Sequence, residues 1–191
     1  MKTKVKKRTW IALLNLLFLF TAVNAQPVRQ YLHEGWSFRQ ARGTNWYEAT
    51  VPGTVHTDLM DNKLIDDPFY RLNERGVQWV DKEDWIYRTT FDVTPELLAK
   101  KNIVLHFEGL DTYADVTLNG KKILSADNMF CEWQADVRSL LKEHGNELQV
   151  YLHSPVKIAM PKWEAVPFQY RSSNDQSENG GCLLYTSDAA D

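Results

Sequence analysis

Ala114-Asp115-Val116-Thr117-Leu118-Asn119-Gly120-Lys121-Lys122-Ile123-Leu124 decides the fold class. Apolar Ala114, Val116 and Leu118 alternate with polar Asp115, Thr117 and Asn119, the period-2 pattern of a strand with one buried face. Asn119-Gly120 is a strong hairpin signal, because both residues accept positive φ. Lys121 to Leu124 then returns as the partner strand. The same alternation recurs outward from this hairpin. Leu148, Val150 and Leu152 alternate with Gln149, Tyr151 and His153 until Ser154-Pro155 ends the run. Trp85, Tyr87, Thr89 and Phe91 share one face of a strand, with Ile86, Arg88 and Thr90 on the other. Trp36-Ser37-Phe38 alternates likewise, and Ile103-Val104-Leu105-His106-Phe107 is a short apolar run. Helical signals are brief. Thr54 caps Val55 to Met60 after the turn Pro52-Gly53. Asp136 is placed to cap a turn or two over Val137 to Lys142, and Pro95-Glu96-Leu97-Leu98 reads as a short excursion. Many short strands with one or two short helices predict an all-β domain, a jelly-roll β-sandwich. From Pro155 onward, Pro161, Pro167 and the run Ser172 to Ser177 read as a long loop.

The ends of the chain carry other signals. Lys2, Lys4, Lys6, Lys7 and Arg8 precede an apolar run from Trp10 to Ala22, and Val23-Asn24-Ala25 supplies a small-residue cleavage site. That order predicts a signal peptide over residues 1–25 with cleavage before Gln26. The run is shorter than the roughly 20 apolar residues of a spanning helix, so export into the periplasm or medium is expected, with no membrane partner after cleavage. Residues 182–191, Cys182 to Asp191, continue no preceding pattern and are expected to be a non-native tail. Residues 26–181 are then one domain of ordinary size. The chain has 22 basic and 25 acidic residues. Without the five basic residues of the head and the two acidic ones of the tail, the balance is mildly acidic, which disfavours a nucleic-acid partner. Cys131, between Phe130 and Glu132, is expected as a small core residue. The five His show no metal-ligand spacing and no Gly-rich phosphate loop is present, so no cofactor is indicated.

Several stretches resemble the N-terminal domain of β-mannosidases in glycoside hydrolase family 2. They are Val51-Pro52-Gly53-Thr54-Val55-His56-Thr57-Asp58-Leu59, Asp67-Pro68-Phe69-Tyr70-Arg71-Leu72-Asn73-Glu74, Val77-Gln78-Trp79-Val80, Asp84-Trp85-Ile86-Tyr87-Arg88, Phe107-Glu108-Gly109-Leu110-Asp111-Thr112-Tyr113-Ala114, Val116-Thr117-Leu118-Asn119-Gly120 and Asn146-Glu147-Leu148. The likeness spans Trp36 to Gly181. It implies a galactose-binding-like sandwich standing before a catalytic barrel, and a β-mannoside as the carbohydrate substrate of the whole enzyme. In that family one carboxylic acid protonates the leaving oxygen while a second attacks the anomeric carbon, roughly 5–5.5 Å away. Both sit on a (β/α)₈ barrel of about 250 residues, and no βα alternation occurs in this sequence.

No catalytic, cofactor or metal residue is therefore assigned. Glu74, Glu83, Glu108 and Asp111 are read as surface or loop charges, and Trp36, Trp85 and Phe107 as filling between the sheets. Trp163, Tyr170 and Asn174-Asp175-Gln176 are the candidate ligand contacts, because loops bear function. The reading is the N-terminal piece of a retaining β-mannosidase that removes terminal β-D-mannose, inert by itself. A free-standing carbohydrate-binding module and another family 2 specificity, such as β-galactosidase, stay open. Expressed in a Gram-negative host, the chain is expected in the periplasm with Gln26 as its first residue, checked by mass spectrometry. An uncleaved N-terminus on protein confined to the cytoplasm would contradict the signal.

Overall fold

The computed structural model describes residues 27–168. The expected signal peptide and tail, Tyr170 and Asn174-Asp175-Gln176 lie outside the described residues. The chain divides between Gln30 and Tyr31, and the fold below belongs to the unit that begins at Tyr31. Among the described residues, eight strands make two antiparallel sheets. In chain order they are β1 Ser37–Gln40, β2 Tyr47–Glu48, β3 Trp85–Phe91, β4 Val104–Phe107, β5 Ala114–Leu118, β6 Lys121–Ala126, β7 Trp133–Asp136 and β8 Asn146–Leu152. Six of them form one sheet in the order β2-β1-β3-β8-β5-β6, and β4 pairs β7 in the other. This is the expected all-β sandwich.

The hairpin is where the sequence places it. Ala114, Val116 and Leu118 are buried, Leu118 pairs Lys121 across the turn, and Asn119 and Gly120 both have positive φ. Register shifts between Val116 and Thr117, so β6 carries a bulge. Inward residues line up across the sheet: Tyr47 faces Phe38, Phe38 faces Tyr87, Tyr87 faces Val150 and Val150 faces Val116. Phe38 sits at the centre, with ring centroids 5.5 Å from Tyr87 and 5.9 Å from Trp85. Trp36 and Trp85 are buried as expected, and each gives its indole N–H to a backbone carbonyl: Trp36 to Leu32 and Trp85 to Val80. Burial of large aromatic surface with the polar handle satisfied is what stabilises this layer. Phe107 differs from expectation. It lies half-buried at the edge of the core, because the two-stranded sheet covers only part of the larger one.

The outward face of the larger sheet is mostly polar, and an aromatic from a connection is pinned against it. Trp46, in the β1–β2 connection, lies under the Arg88 guanidinium at 3.7 Å and the Arg39 guanidinium at 4.9 Å from its ring centre. Ile86 also points to this outer face, yet it is buried in the row between its register partners Arg39 and Tyr151.

Among the described residues, two short α-helices interrupt the strands, α1 Val55–Asp61 and α2 Pro95–Leu98, and a third, α3 Pro155–Glu164, follows β8. Thr54 caps α1 as expected, in a capping box with Thr57. Ahead of it, a Cβ on Gly53 would come within 2.4 Å of the Thr50 carbonyl oxygen, so the turn admits glycine alone. The single turn expected after Asp136 is present: Asp136 accepts from the Arg138 N–H, and the Val137 carbonyl accepts from the Leu140 and Leu141 N–H groups. One expectation is corrected. Residues 155–164 are helix α3 rather than loop. Ser154 accepts from the Lys157 N–H and Pro155 occupies the first helical position, where its missing N–H costs nothing. Pro161 deletes one internal hydrogen bond but lies close enough to the end for the helix to survive.

Asn146 closes the far end of the sandwich. Wholly buried, it accepts from the Asn119 side chain and the Lys142 N–H and donates to the Phe91 and Lys142 carbonyls. Trp85→Ala is expected to destabilise the domain by about 3–5 kcal/mol, the cost of emptying an aromatic core site. Equilibrium denaturation checks it, and a variant that melts like the parent would place Trp85 outside the core.

Candidate functional site

The acids read as surface charges are on the surface. Glu74, Glu108 and Asp111 are exposed and Glu83 is half-exposed; Glu74 and Glu83 lie between α1 and β3, and Glu108 and Asp111 between β4 and β5. Trp163 does not sit on a loop: it is half-buried in the last turn of α3. Cys131 is exposed rather than in the core, beside Phe130, which is 85% exposed. Both belong to the β6–β7 turn, where Asn128 accepts from the Phe130 N–H and turns the backbone outward. Apolar neighbours along the chain say nothing about burial when a turn separates them from the core. Among the described residues, no group of three or more His, Cys, Asp or Glu could hold a metal ion, and no helix is long and apolar enough to cross a membrane.

What sequence reasoning missed is the segment between α1 and β3. It contains no strand. Asn62 stops α1 and ties it to the Glu48 carbonyl. Asp67 then accepts from the Phe69 N–H, and the Asn73 side chain donates back to the Asp67 carbonyl. Two 3₁₀ turns, Asn73–Gly76 and Val80–Lys82, follow. Val77 and Val80 are buried in the core, yet Leu64, Phe69, Tyr70, Leu72 and Trp79 are exposed, Phe69 at 82%. Among the described residues, half of the large exposed apolar side chains thus come from this one connection. A cleft of about 300 Å³ opens in it, lined by Lys63, Leu64, Asp66, Asn73, Gly76 and Trp79 among others. The available signal was an apolar triplet, Phe69, Tyr70 and Leu72, in a stretch whose Asp, Pro and Asn residues forbid strand or long helix.

The model of the glycosyl hydrolase 2 galactose-binding domain-like family matches residues 36–182. The chain belongs to that family. It is 44% identical to β-mannosidase B of Thermothelomyces thermophilus over 126 residues, 64% of this chain and 15% of the relative. β-Mannosidase B of Emericella nidulans is 42% identical over 118 residues, 60% of this chain and 14% of the relative. The chain therefore spans about one-seventh of the length of these curated relatives and corresponds to their N-terminal part. The crystal structure of the β-D-mannosidase from Dictyoglomus thermophilum superposes with a TM-score of 0.71 at 46% identity, over 75% of this chain and 18% of that one. The exo-chitosanase from Amycolatopsis orientalis superposes at 0.54 with 22% identity, covering 62% of this chain and 16% of its own, and shares the fold.

In this family member three aspartates set the position of the exposed segment. Asp58 of α1, 1% exposed, accepts from the Tyr87 hydroxyl at 2.6 Å and from the Thr50 N–H at 2.8 Å. Burial pushes its carboxyl up, and the two hydrogen bonds only partly offset that. Burial likewise raises Asp81, opposed by Lys82 and His56; its Oδ1 is buried without a hydrogen-bond donor among the described residues. Asp84 behaves oppositely. Burial works to raise it, but the Ser154 N–H at 2.8 Å, the Tyr151 hydroxyl at 3.0 Å and the Lys157 ammonium at 3.4 Å outweigh burial and hold its carboxyl below the ordinary value. Asp84 thereby joins the start of β3 to the end of β8 and to α3, while the Ser154 hydroxyl donates to the Asp81 carbonyl at 2.6 Å.

The sign of the pH dependence follows. A carboxyl whose pKa is lower when folded contributes stability above its unfolded pKa, about 4, and loses it as pH falls through the native value. Asp84→Asn is expected to cost about 2 kcal/mol at pH 7, as for hydrogen bonds to a charged group. The gap between variant and parent narrows as pH falls below about 4. Thermal melts at pH 7 and in acid measure it; a gap that does not change with pH would remove Asp84 from this role.

Proposed function

We propose that this chain is the exported, non-catalytic N-terminal domain of a retaining β-mannosidase that removes terminal β-D-mannose from β-mannosides. The observation that carries the reading is the 46% identity to the Dictyoglomus mannosidase over three-quarters of the chain, against 22% for the exo-chitosanase of the same fold. Such a difference within one fold tracks the lineage rather than the architecture, which many activities share.

The site supports a supporting rather than a chemical role. Retaining hydrolysis takes two carboxyl groups converging at roughly 5–5.5 Å on one sugar. Glu74 and Glu83 share one exposed connection and Glu108 and Asp111 another, while the buried Asp58 and half-buried Asp84 are committed to internal hydrogen bonds. The exposed Phe69, Tyr70 and Leu72 suit contact with another part of the enzyme, since a contiguous exposed apolar patch marks an interaction site. The basic head, apolar run and small-residue cut before Gln26 support export.

Purified chain is expected to hydrolyse no aryl β-mannoside. Joined to the remainder of its parent enzyme, it is expected to give turnover with retained anomeric configuration, read by NMR of the first-formed sugar. Hydrolysis by the chain alone would refute the non-catalytic role, and a joined enzyme that prefers aryl β-galactosides would refute the mannoside specificity.

A further inference from the structure

Besides setting the β5–β6 turn, Asn119-Gly120 is a pair with chemistry of its own. In an unfolded chain the Gly120 backbone nitrogen can reach Cγ of the Asn119 side chain, and glycine puts no side chain in the way. The deprotonated nitrogen attacks Cγ, the Cγ–Nδ2 bond breaks and ammonia leaves. Water then opens the resulting five-membered imide at either carbonyl, giving aspartate or isoaspartate. Water is the sole co-reactant.

The fold holds this reaction off by occupying the amide. Asn119 Nδ2 donates to the Leu140 carbonyl at 2.8 Å and to Asn146 Oδ1 at 3.1 Å, and Asn119 Oδ1 accepts from the Glu147 N–H at 3.0 Å. The Asn119 N–H also donates to the Glu147 carbonyl at 2.8 Å. Cγ cannot swing onto the Gly120 nitrogen until the hairpin lets go of residues 140–147. Gly120 itself gives no cover, since a Cβ there would meet nothing within 4 Å. The protection lies in the hydrogen bonds.

The same bonds decide what a converted chain can do. A carboxylate at position 119 sets an acceptor where Nδ2 donates, against the Leu140 carbonyl and Asn146 Oδ1. Asn146 cannot turn its amide over in answer: its Nδ2 is engaged by the Phe91 and Lys142 carbonyls, and its Oδ1 also takes the Lys142 N–H. Asn146 is wholly buried, and buried acceptors without donors are costly. Isoaspartate also adds a carbon to the backbone of a two-residue turn, where loop length sets the register.

We propose that Asn119 is a spontaneous deamidation site that the folded domain keeps closed, and that its conversion in an unfolded chain blocks return to the native sandwich. The site records time spent unfolded. It stands apart from the mannoside reading.

The purified chain is held in mildly alkaline buffer with and without guanidinium chloride, and peptide mapping by mass spectrometry follows the change of amide to acid. Asn179-Gly180, the other Asn-Gly pair of the sequence, gives the reference rate in denaturant. There the two pairs are expected to convert alike. In buffer, Asn119 is expected to convert at least about tenfold more slowly than in denaturant, since a closed site reacts only through its opened population. Equal rates at Asn119 in the two conditions, or no conversion in denaturant, would overturn the closed site. The converted fraction, separated by its added negative charge, is expected to lose the cooperative melt that the unconverted fraction regains on dilution. Asn119→Asp is expected to reproduce that loss. Asn119→Gly accepts the positive φ and carries neither amide nor carboxylate, so it is expected to melt between Asn119→Asp and the parent. A converted fraction that melts like the unconverted one, or an Asn119→Asp chain that melts no lower than Asn119→Gly, would overturn the block on refolding.

Discussion

The buried carboxyl group of Asp58 is the interaction around which the exposed half of the domain is arranged. It lies on a two-turn helix that could not hold its own position, since isolated helices of that length are unstable in water. The Tyr87 hydroxyl, from the central strand β3, and the Thr50 N–H, from the chain ahead of the turn, fix it from two directions. Leu59 beside it fills the core. Once α1 is fixed, the chain leaves it at Asn62 with a set direction, and it re-enters the sheet at Trp85, whose indole is tied to Val80. Everything between is suspended from those two anchors. That is how a segment without a strand can present apolar side chains outward and still have a defined backbone.

The polar anchors differ in what they cost. Asp84 sits among three donors and is stabilised as a carboxylate, while Asp58 and Asp81 carry a desolvation penalty that their partners do not fully offset. A buried polar group earns its place only when its partners are in position. Here the poorly compensated groups flank the segment that carries the exposed residues, and the well-compensated one joins β3, β8 and α3. The domain is tied most firmly where the two ends of its central strands meet.

How much was legible in the sequence depended on whether a residue's neighbours along the chain were also its neighbours in space. The hairpin at Asn119-Gly120 and the inward faces of β3, β5 and β8 follow from period-2 alternation, because a strand displays its own pattern. The cap at Thr54 was visible for the same reason. Helix α3 was misread because Ser154-Pro155 fits both the end of a strand and the start of a helix, and Pro161 suggested that no helix could follow. Cys131 was misplaced because its apolar context is a turn, and the half-burial of Phe107 depends on how far the small sheet extends. The role of Asp58 was illegible from residues 51–59 alone: its partner Tyr87 is 29 positions away. The apolar segment was quoted as a family motif, yet nothing local says that Phe69 faces out while Val77 faces in.

The strand order also bears on how the domain behaves in company. A sheet with open edges offers unpaired N–H and C=O groups to any neighbouring chain. Here one edge is β2, only two residues long. The other is β6, which begins with exposed Lys121 and Lys122 and is bent by the bulge opposite Val116 and Thr117. Short, charged and bent edges resist strand-to-strand growth. Stickiness is thereby moved from backbone to side chains, from a surface that would template endless sheets to one that a single partner of matching shape can cover.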